Sequence, residues 1–245
     1  MAKYSVTQSP VSQLLSDVRS EKIAIPELQR PFVWDSIKVR DLMDSLYKGY
    51  PVGYLITWQS VGAAIKGGNI AGFQQILIDG QQRVTALRAA VAGLPVVDKK
   101  YANRRIKIAF NPLTEAFETL TPALNKSPQW ISDVSDFFNA SSPFSFIHDY
   151  FEINPDVDHK KVEISLGKLA SLENAQIGII ALEDDLDVET VAEIFIRINS
   201  KGVPLSSADF AMSKIATYGD RGRNLRKLID YFCHLAVAPH VFADV

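Results

Sequence analysis

The chain has 245 residues, 47% of them hydrophobic and 22% charged, which is the composition of a globular protein able to bury a core. A formal net charge of -2 and a pI near 6.1 argue against a protein whose whole surface coats nucleic acid. The single cysteine, Cys233, excludes an internal disulfide and a cysteine-based zinc cluster. Because the sequence shows no apolar signal core and no apolar run of bilayer length, we expect a cytoplasmic protein with no membrane partner.

A short helix and a loop held by prolines are predicted near the start. Apolar residues recur at helical spacing from Val11 to Val18, and a brief extended piece is predicted from Ile23 to Ile25. Two prolines hold the stretch from Pro26 to Trp34 in an irregular path. An arginine on such a loop, here Arg30, suits phosphate binding or base stacking beside aromatic rings. In the alternative, the aromatic residues fill the core and Arg30 is solvated.

The next predicted helix leads into a strand. Asp35 or Ser36 can cap this helix, and Gly49 ends it. A strand is predicted from Val52 to Trp58. The buried stripe of the helix is predicted to be Ile37, Val39, Leu42, Met43, Leu46 and Tyr47.

The hydrophobic period then changes within one short stretch that also holds a cluster of polar residues. The stretch from Phe73 to Ile78 ends in the apolar run Ile76-Leu77-Ile78, Asp79-Gly80 is a turn signal, and helical spacing begins after it. A helix that starts directly after a strand points free backbone N–H groups and its positive dipole end at the crevice above the strand. We therefore predict a strand, a tight turn and a helix, with Gln81, Gln82 and Arg83 in the first helical turn.

Two interpretations of this turn stay open. For nucleotide chemistry, Asp79 holds Mg²⁺ or orients a water, and Gly80 lets the backbone approach a phosphate. The side chains of Gln81, Gln82 and Arg83 then supply hydrogen-bond donors and a positive charge. In the alternative, Asp79 only caps the helix and Arg83 makes a surface ion pair worth at most about 1 kcal/mol.

The second half of the chain adds a hairpin, a helical stretch and a returning strand. Arg105 to Phe110 and Ala116 to Leu120 are predicted to pair as strands. Short aromatic-rich helices are predicted from Pro122 to about Leu172, and an apolar strand from Ala175 to Leu182. We therefore divide the chain into residues 1–121, a helical insert at 122–173 and a C-terminal part at 174–245.

A helix after Asp187 carries a further group of polar residues. Asp187 can cap this helix, which leaves Arg197 and Asn199 off its buried face. Basic residues at such a helix end can contact an anionic ligand, but they are also ordinary partners of the helix dipole. The acidic run from Glu183 to Asp185 can bind a metal or form a solvated loop. The buried face is predicted to be Val188, Val191, Phe195 and Ile198.

Three motifs resemble a known family in their order and spacing. They are Ile25-Pro26 with Gln29-Arg30 and Trp34, then Asp79-Gly80-Gln81-Gln82-Arg83, then Phe195 to Asn199 with Gly202 and Leu205-Ser206. From about Pro26 to Met212, this pattern resembles the DGQQR-box domain at the N-terminus of GmrSD-type modification-dependent restriction enzymes and related bacterial phage-defence proteins. Leu28 departs from the pattern, since family members often have an aromatic residue before the Gln-Arg pair.

The resemblance implies an α+β fold with a ParB- and sulfiredoxin-like nucleotide-binding core, in a module that hydrolyses a nucleoside triphosphate, often GTP, with Mg²⁺. It implies that Asp79, Gln81, Gln82 and Arg83 form the hydrolysis site, with Asp79 as the magnesium ligand. The nucleotide-binding residues that it implies are Gln29, Arg30, Gly80, Arg83, Arg197 and Asn199.

Domains of this kind are usually followed by an HNH-type nuclease domain, and the sequence has no His-Asn-His arrangement. We therefore expect DNA to be reached through a further domain after Val245 or through a partner nuclease, and an oligomer is compatible with the sequence. Two other functions stay open. One is a DNA-binding or nicking module in which the box holds backbone phosphate without nucleotide turnover, and the other is a non-catalytic nucleotide sensor for a partner nuclease.

Overall fold

The structure is a computed structural model that describes residues 3–25, 32–60, 74–98 and 102–187. It also describes ten positions further on, which are 190, 191, 193, 194, 197, 224, 225, 228, 229 and 232. The predictions for Gln29, Arg30 and Asn199 lie outside the described residues.

The described elements begin with strands and helices in mixed order, continue through a mainly helical stretch and end with a strand. In chain order they are β1 (Tyr4–Pro10), α1 (Val11–Arg19), β2 (Ile23–Ala24), α2 (Ser36–Tyr47), β3 (Tyr54–Ser60), β4 (Gln74–Asp79), α3 (Gln81–Ala90), β5 (Val96–Val97), β6 (Asn103–Arg104), β7 (Ile108–Asn111), β8 (Ala116–Thr119), α4 (Pro122–Lys126), α5 (Val134–Phe138), α6 (Pro143–Ile153), α7 (His159–Ser171), a 3-10 turn (Leu172–Asn174) and β9 (Gln176–Leu182).

A five-stranded mixed sheet carries the fold, with its described strands in the order β1-β9-β3-β4-β2. The pairs β1 with β9 and β3 with β4 are antiparallel, whereas β9 with β3 and β2 with β4 are parallel. Two small antiparallel hairpins, β5 with β6 and β7 with β8, lie outside this sheet. The sheet and the helices together form the α+β fold that the sequence predicts. The likeness to ParB and sulfiredoxin stays a prediction.

The central strand β3 separates two apolar clusters because its successive side chains point to opposite faces of the sheet. Leu55 is fully buried in the larger cluster, which also contains Leu77 and residues from α1, α2, α3 and the later helices. Ile56 and Trp58 lie in the smaller cluster on the other face, with Val191 of the helix that follows β9. Burying each large apolar side chain stabilises the fold by about 1.5–3 kcal/mol. Strand β3 is therefore held firmly in the sheet, and the residues at its ends have fixed positions.

Helix α2 is built largely as its sequence predicts. The carboxylate of Asp35 accepts a hydrogen bond from the backbone N–H of Lys38 at 2.9 Å, so Asp35 is the N-cap. Gly49, just past the end of the helix, has φ +72°. The prediction that Ile37 is buried is wrong, because it is 50% exposed. Ile37 is exposed because of helical spacing. The buried residues recur three and four positions apart from Val39 onward, and this spacing places Ile37 on the solvent side of the helix.

Other predicted boundaries shift by a few residues. Strand β3 begins at Tyr54 instead of Val52, because Gly53 takes φ +84° and interrupts the extended backbone. Strand β7 begins at Ile108 instead of Arg105. The stretch from 122 to 172 is helical as predicted, and its buried residues Val134 and Leu166 pack in the larger cluster. The division into three parts stays a prediction.

Candidate functional site

The polar box lies at the junction of β4 and α3. Strand β4 ends at Asp79, Gly80 is the N-cap of α3 with φ +91°, and the helix begins at Gln81. The backbone N–H groups of Arg83 and Val84 both donate to the carbonyl of Gly80, at 3.0 Å each. Since Gly80 occupies the cap position, the predicted alternative in which Asp79 caps the helix is wrong. The predicted strand, tight turn and helix are confirmed.

A β-bulge precedes the box. Asp79 lies opposite Ile56, whereas Leu77 lies opposite Thr57, so the register between β3 and β4 shifts by one residue around Ile78. Bulges bend a strand and change the direction of a side chain, and they are frequent beside active sites. This one sets where the carboxylate of Asp79 lies at the end of the sheet.

The guanidinium of Arg83 is held between two glycines. Its Nη1 donates to the carbonyl of Tyr54 at 2.9 Å. A Cβ atom at Gly53 would lie 3.1 Å from Nη2 of Arg83, and a Cβ atom at Gly80 would lie 3.1 Å from Nη1. Burial lowers the pKa of Arg83 and the charge of Asp79 opposes that shift, but an arginine stays protonated at neutral pH. The result is a half-buried positive charge that the Asp79 carboxylate influences electrostatically, and Arg83 makes no ion pair with any residue that the structure describes.

The two glutamines of the box contact different segments. Oε1 of Gln82 accepts from the backbone N–H of Val33 at 2.9 Å. Nε2 of Gln81 donates to the carbonyl of Leu77, four residues earlier in strand β4, at 3.3 Å. The box therefore joins three backbone segments, namely β4, the start of β3 and the residues before α2.

A cleft of about 240 Å³ opens beside Arg83. One face of α2 lines it, since Lys38, Leu42 and Ser45 recur at helical spacing. Lys38 is not among the site residues predicted from the sequence. Its place in the first turn of a capped helix, four residues after Trp34, could have indicated that the two residues are neighbours. The complete described lining is Trp34, Lys38, Asp41, Leu42, Ser45, Pro51, Val52 and Arg83.

The described lining brings together only some of the predicted site residues. Trp34 and Arg83 share the cleft, and Asp79 acts electrostatically on Arg83. Arg197 does not line the cleft. It lies on a helical turn, and its Nε contacts the carboxylate of Glu193 at 3.1 Å.

The comparisons with known proteins identify a family. Residues 11–216 match the GmrSD restriction endonuclease N-terminal domain. The chain belongs to this family. The resemblance predicted from the three motifs is thereby confirmed, and the matched GmrSD range includes the box and all the described residues that line the cleft. A comparison of the chain with curated proteins found no match.

Membership in the GmrSD family makes the chain a module of a restriction or phage-defence system. The family is associated with a DNA-related function and with a partner nuclease domain. Within the described ranges, no helix has both the length and the apolarity that a membrane span requires.

The box fits a magnesium ion only in part. Among the residues that the structure describes, no group of three or more His, Cys, Asp or Glu side chains could hold a metal. Magnesium often binds through one or two carboxylates together with substrate phosphates, so Asp79 suits an ion that arrives with a nucleotide. The acidic run after β9 is solvated, and Asp185 pairs with Lys3 at 3.1 Å while both side chains stay more than half exposed.

A larger cleft of about 440 Å³ lies between α2, the β7–β8 turn and α7. Its charged groups already pair with one another, as Lys48 does with Asp44 at 2.7 Å and Lys168 does with Glu115 at 3.0 Å. These pairs make the larger cleft a structural junction.

Proposed function

We propose that this GmrSD-family domain binds a nucleoside triphosphate, with GTP preferred, in the cleft beside Arg83 and hydrolyses it with Mg²⁺. Turnover would regulate the cleavage of modified foreign DNA by a partner nuclease. The observation that carries the proposal is the guanidinium of Arg83, fixed by Tyr54 between two glycines and placed on the wall of a cleft that also holds Trp34 and Lys38.

The cleft offers charge suited to phosphates. Arg83 and Lys38 supply two positive charges, and the adjacent N-terminal turn of α3 adds the positive end of a helix dipole. An arginine donates to two phosphate oxygens at once, whereas a lysine acts as a mobile point charge. Phosphoryl transfer depends mainly on such positioning and charge stabilisation.

The remaining groups suit the rest of a nucleotide. Trp34 presents an aromatic ring on which a base can stack. Asp79 is the proposed ligand of a nucleotide-bound Mg²⁺, and Gly80, which has no side chain, lets a phosphate approach the backbone. In the proposed hydrolysis site, Asp79, Gln81 and Arg83 act on the phosphates and Gln82 supports the wall of the cleft, and Gln29, Arg30, Arg197 and Asn199 are further proposed nucleotide contacts.

The test measures phosphate release from GTP, CTP, UTP and ATP, with and without Mg²⁺. We expect wild-type protein to turn over GTP fastest and Asp79→Asn, Arg83→Gln and Lys38→Gln to lose most of that rate. Lys48→Gln is the matched control, because Lys48 is the C-cap of the same helix and pairs with Asp44 outside the lining of the cleft beside Arg83. Melting temperatures confirm that each variant folds. Equal release by wild type, Asp79→Asn and Arg83→Gln would overturn the hydrolase proposal.

A second candidate rests on the same two cations. Arg83 and Lys38 also suit the backbone phosphates of DNA, and a DNA-binding or nicking module would need no nucleotide. Binding of duplex DNA without nucleotide, steeply weakened by salt and by Lys38→Gln, would favour this candidate. A rise in melting temperature with GTP but without turnover would point to a nucleotide sensor.

A further inference from the structure

We infer that Gln82 is a positioning residue that fastens the segment ending in Trp34 to α3, and that it does not itself touch the reacting phosphate. The inference rests on the proposed nucleotide site, because it concerns the wall that Trp34 contributes to the cleft. It assigns Gln82 a different task from that of Asp79 and Arg83.

A hydrogen bond joins Gln82 to Val33, in the segment before α2. Oε1 of Gln82 accepts from the Val33 N–H at 2.9 Å, which joins two residues 49 positions apart in the chain. The side chain of Val33 is 40% exposed, so packing holds it only in part. Trp34 follows directly, and Asp35 then caps α2. The hydrogen bond from Gln82 therefore lies one residue before the tryptophan that lines the cleft.

A second anchor fixes the other side of the same segment. Phe32 is only 4% exposed, and its backbone N–H donates to the carbonyl of Val97 at 2.8 Å. With Phe32 held in the core, the peptide between Phe32 and Trp34 has two backbone anchors, one at β5 and one at the box. Removing the box anchor leaves the segment attached while freeing the direction in which Trp34 points.

The chemistry of the amide group supports this assignment. A glutamine side chain has one acceptor oxygen and an NH₂ group that only donates, so the partner of a backbone N–H must be the oxygen. A glutamine that orients an attacking water needs that oxygen for the water. In this structure one lone pair of that oxygen already accepts from Val33, which directs the side chain toward the segment before α2.

The consequence is a split between substrate affinity and turnover. Loss of the acceptor loosens Trp34 and weakens base stacking, so KM should rise about three- to tenfold, as expected for one hydrogen bond. Turnover at saturating nucleotide should change by less than about twofold, because Asp79 and Arg83 stay in place.

The experiment compares Gln82→Leu with Gln82→Glu in the full chain. Glutamate keeps an acceptor oxygen for Val33 and loses the NH₂ donors, whereas leucine loses both. We expect Gln82→Leu to raise KM for GTP and to speed amide hydrogen exchange in the peptide that contains Val33. Gln82→Glu should restore slow exchange at Val33 and near wild-type kcat at saturating nucleotide. Gln81→Leu is the control for exchange, because Gln81 contacts Leu77 and should leave Val33 protected.

Two results would overturn the inference. One is equal loss of kcat in Gln82→Glu and Gln82→Leu, which would make the NH₂ group of Gln82 part of the reaction. The other is unchanged exchange at Val33 in Gln82→Leu. If wild-type protein hydrolyses no nucleotide, the proposed function fails, and the exchange rates at Val33 still decide whether Gln82 holds this segment.

Discussion

Gly80 and Leu55 are packed so closely that a methyl group on Gly80 would overlap Cδ2 of Leu55. Gly80 also has φ +91°, a backbone conformation that costs other residues about 1–2 kcal/mol. We expect Gly80→Ala to lower the free energy of unfolding by about 2–4 kcal/mol, the sum of that strain and the overpacking. Chemical denaturation measures the loss.

Gly49→Ala is the matched control for this prediction. Gly49 has φ +72°, and a Cβ atom there would meet no atom within 4 Å. Its replacement should therefore cost only the conformational strain, about 1 kcal/mol. Equal losses in the two variants would show that contact with Leu55 contributes nothing.

A buried ion pair gives a second prediction. Asp133 is 1% exposed, accepts from Nη2 of Arg105 at 2.9 Å and caps α5 through the N–H of Ser135. Asp133→Ala should lower the free energy of unfolding by about 3 kcal/mol, since it removes a cap and leaves a guanidinium partly buried without its partner.

The exposed pair of Asp44 with Lys48 is the comparison for Asp133. These side chains lie one helical turn apart with an N–O distance of 2.7 Å. Asp44→Ala should cost at most about 0.5 kcal/mol, because solvent screens the pair. Thermal melts of Asp133→Ala and Asp44→Ala in the same buffer compare the two losses of stability. Equal losses would mean that the burial of Asp133 is unimportant.

Glu115 predicts how stability depends on pH. The hydrogen bond from Lys168, followed by that from the hydroxyl of Tyr47, holds the pKa of Glu115 below its ordinary value of 4.5. A lowered pKa means that the contribution to stability is complete above the ordinary pKa and is lost as pH falls through the lowered one. Since Lys168 and Glu115 are each at least 40% exposed, it amounts to at most about 1 kcal/mol.

The measurement for Glu115 is the free energy of unfolding between pH 6 and pH 3. The difference between wild type and Glu115→Gln should be largest at pH 6 and should shrink at the acid end. A difference that stays constant across this range would mean that the charge of Glu115 has no part in stability.

Gly167 predicts a stabilising change. It lies inside α7, and a Cβ atom there would meet nothing within 4 Å. Gly167→Ala should raise the free energy of unfolding by about 0.5–1 kcal/mol, because alanine loses less backbone entropy in a helix. The denaturant midpoints of wild type, Gly167→Ala and Gly49→Ala, measured together, test this increase. A fall in the stability of Gly167→Ala would contradict the free space around Gly167.

Local patterns in the sequence predict most of the fold. The change of period at Asp79 gives the end of β4 and the start of α3, and Asp35 marks the start of α2. The sequence does not predict strand β1, because Tyr4 and Val6 are its only large apolar residues and both stay more than half exposed. Its strand conformation comes from pairing with β9, which local periodicity does not report.

The site divides in the same way. The type and position of Asp79 and Arg83 indicate an anion site from the sequence, and their placement at a strand-to-helix junction is confirmed. The contact of Gln82 with Val33 joins segments 49 positions apart, and no spacing rule connects them. Lys38 enters the cleft only because α2 packs beside the box, which is a property of the tertiary fold.

The order of the sheet has a consequence for how the chain folds. Strand β9 lies between β1 and β3, and its register joins Tyr4 to Leu182 and Tyr54 to Gly178. During synthesis, β1 and β3 are made long before β9, with which both pair. Strand pairing between residues so far apart in the sequence slows folding. A fragment ending at residue 173 would leave β1 without its described partner strand and would expose an unpaired edge on β3, which favours aggregation. Expression boundaries for the box must therefore extend beyond Leu182.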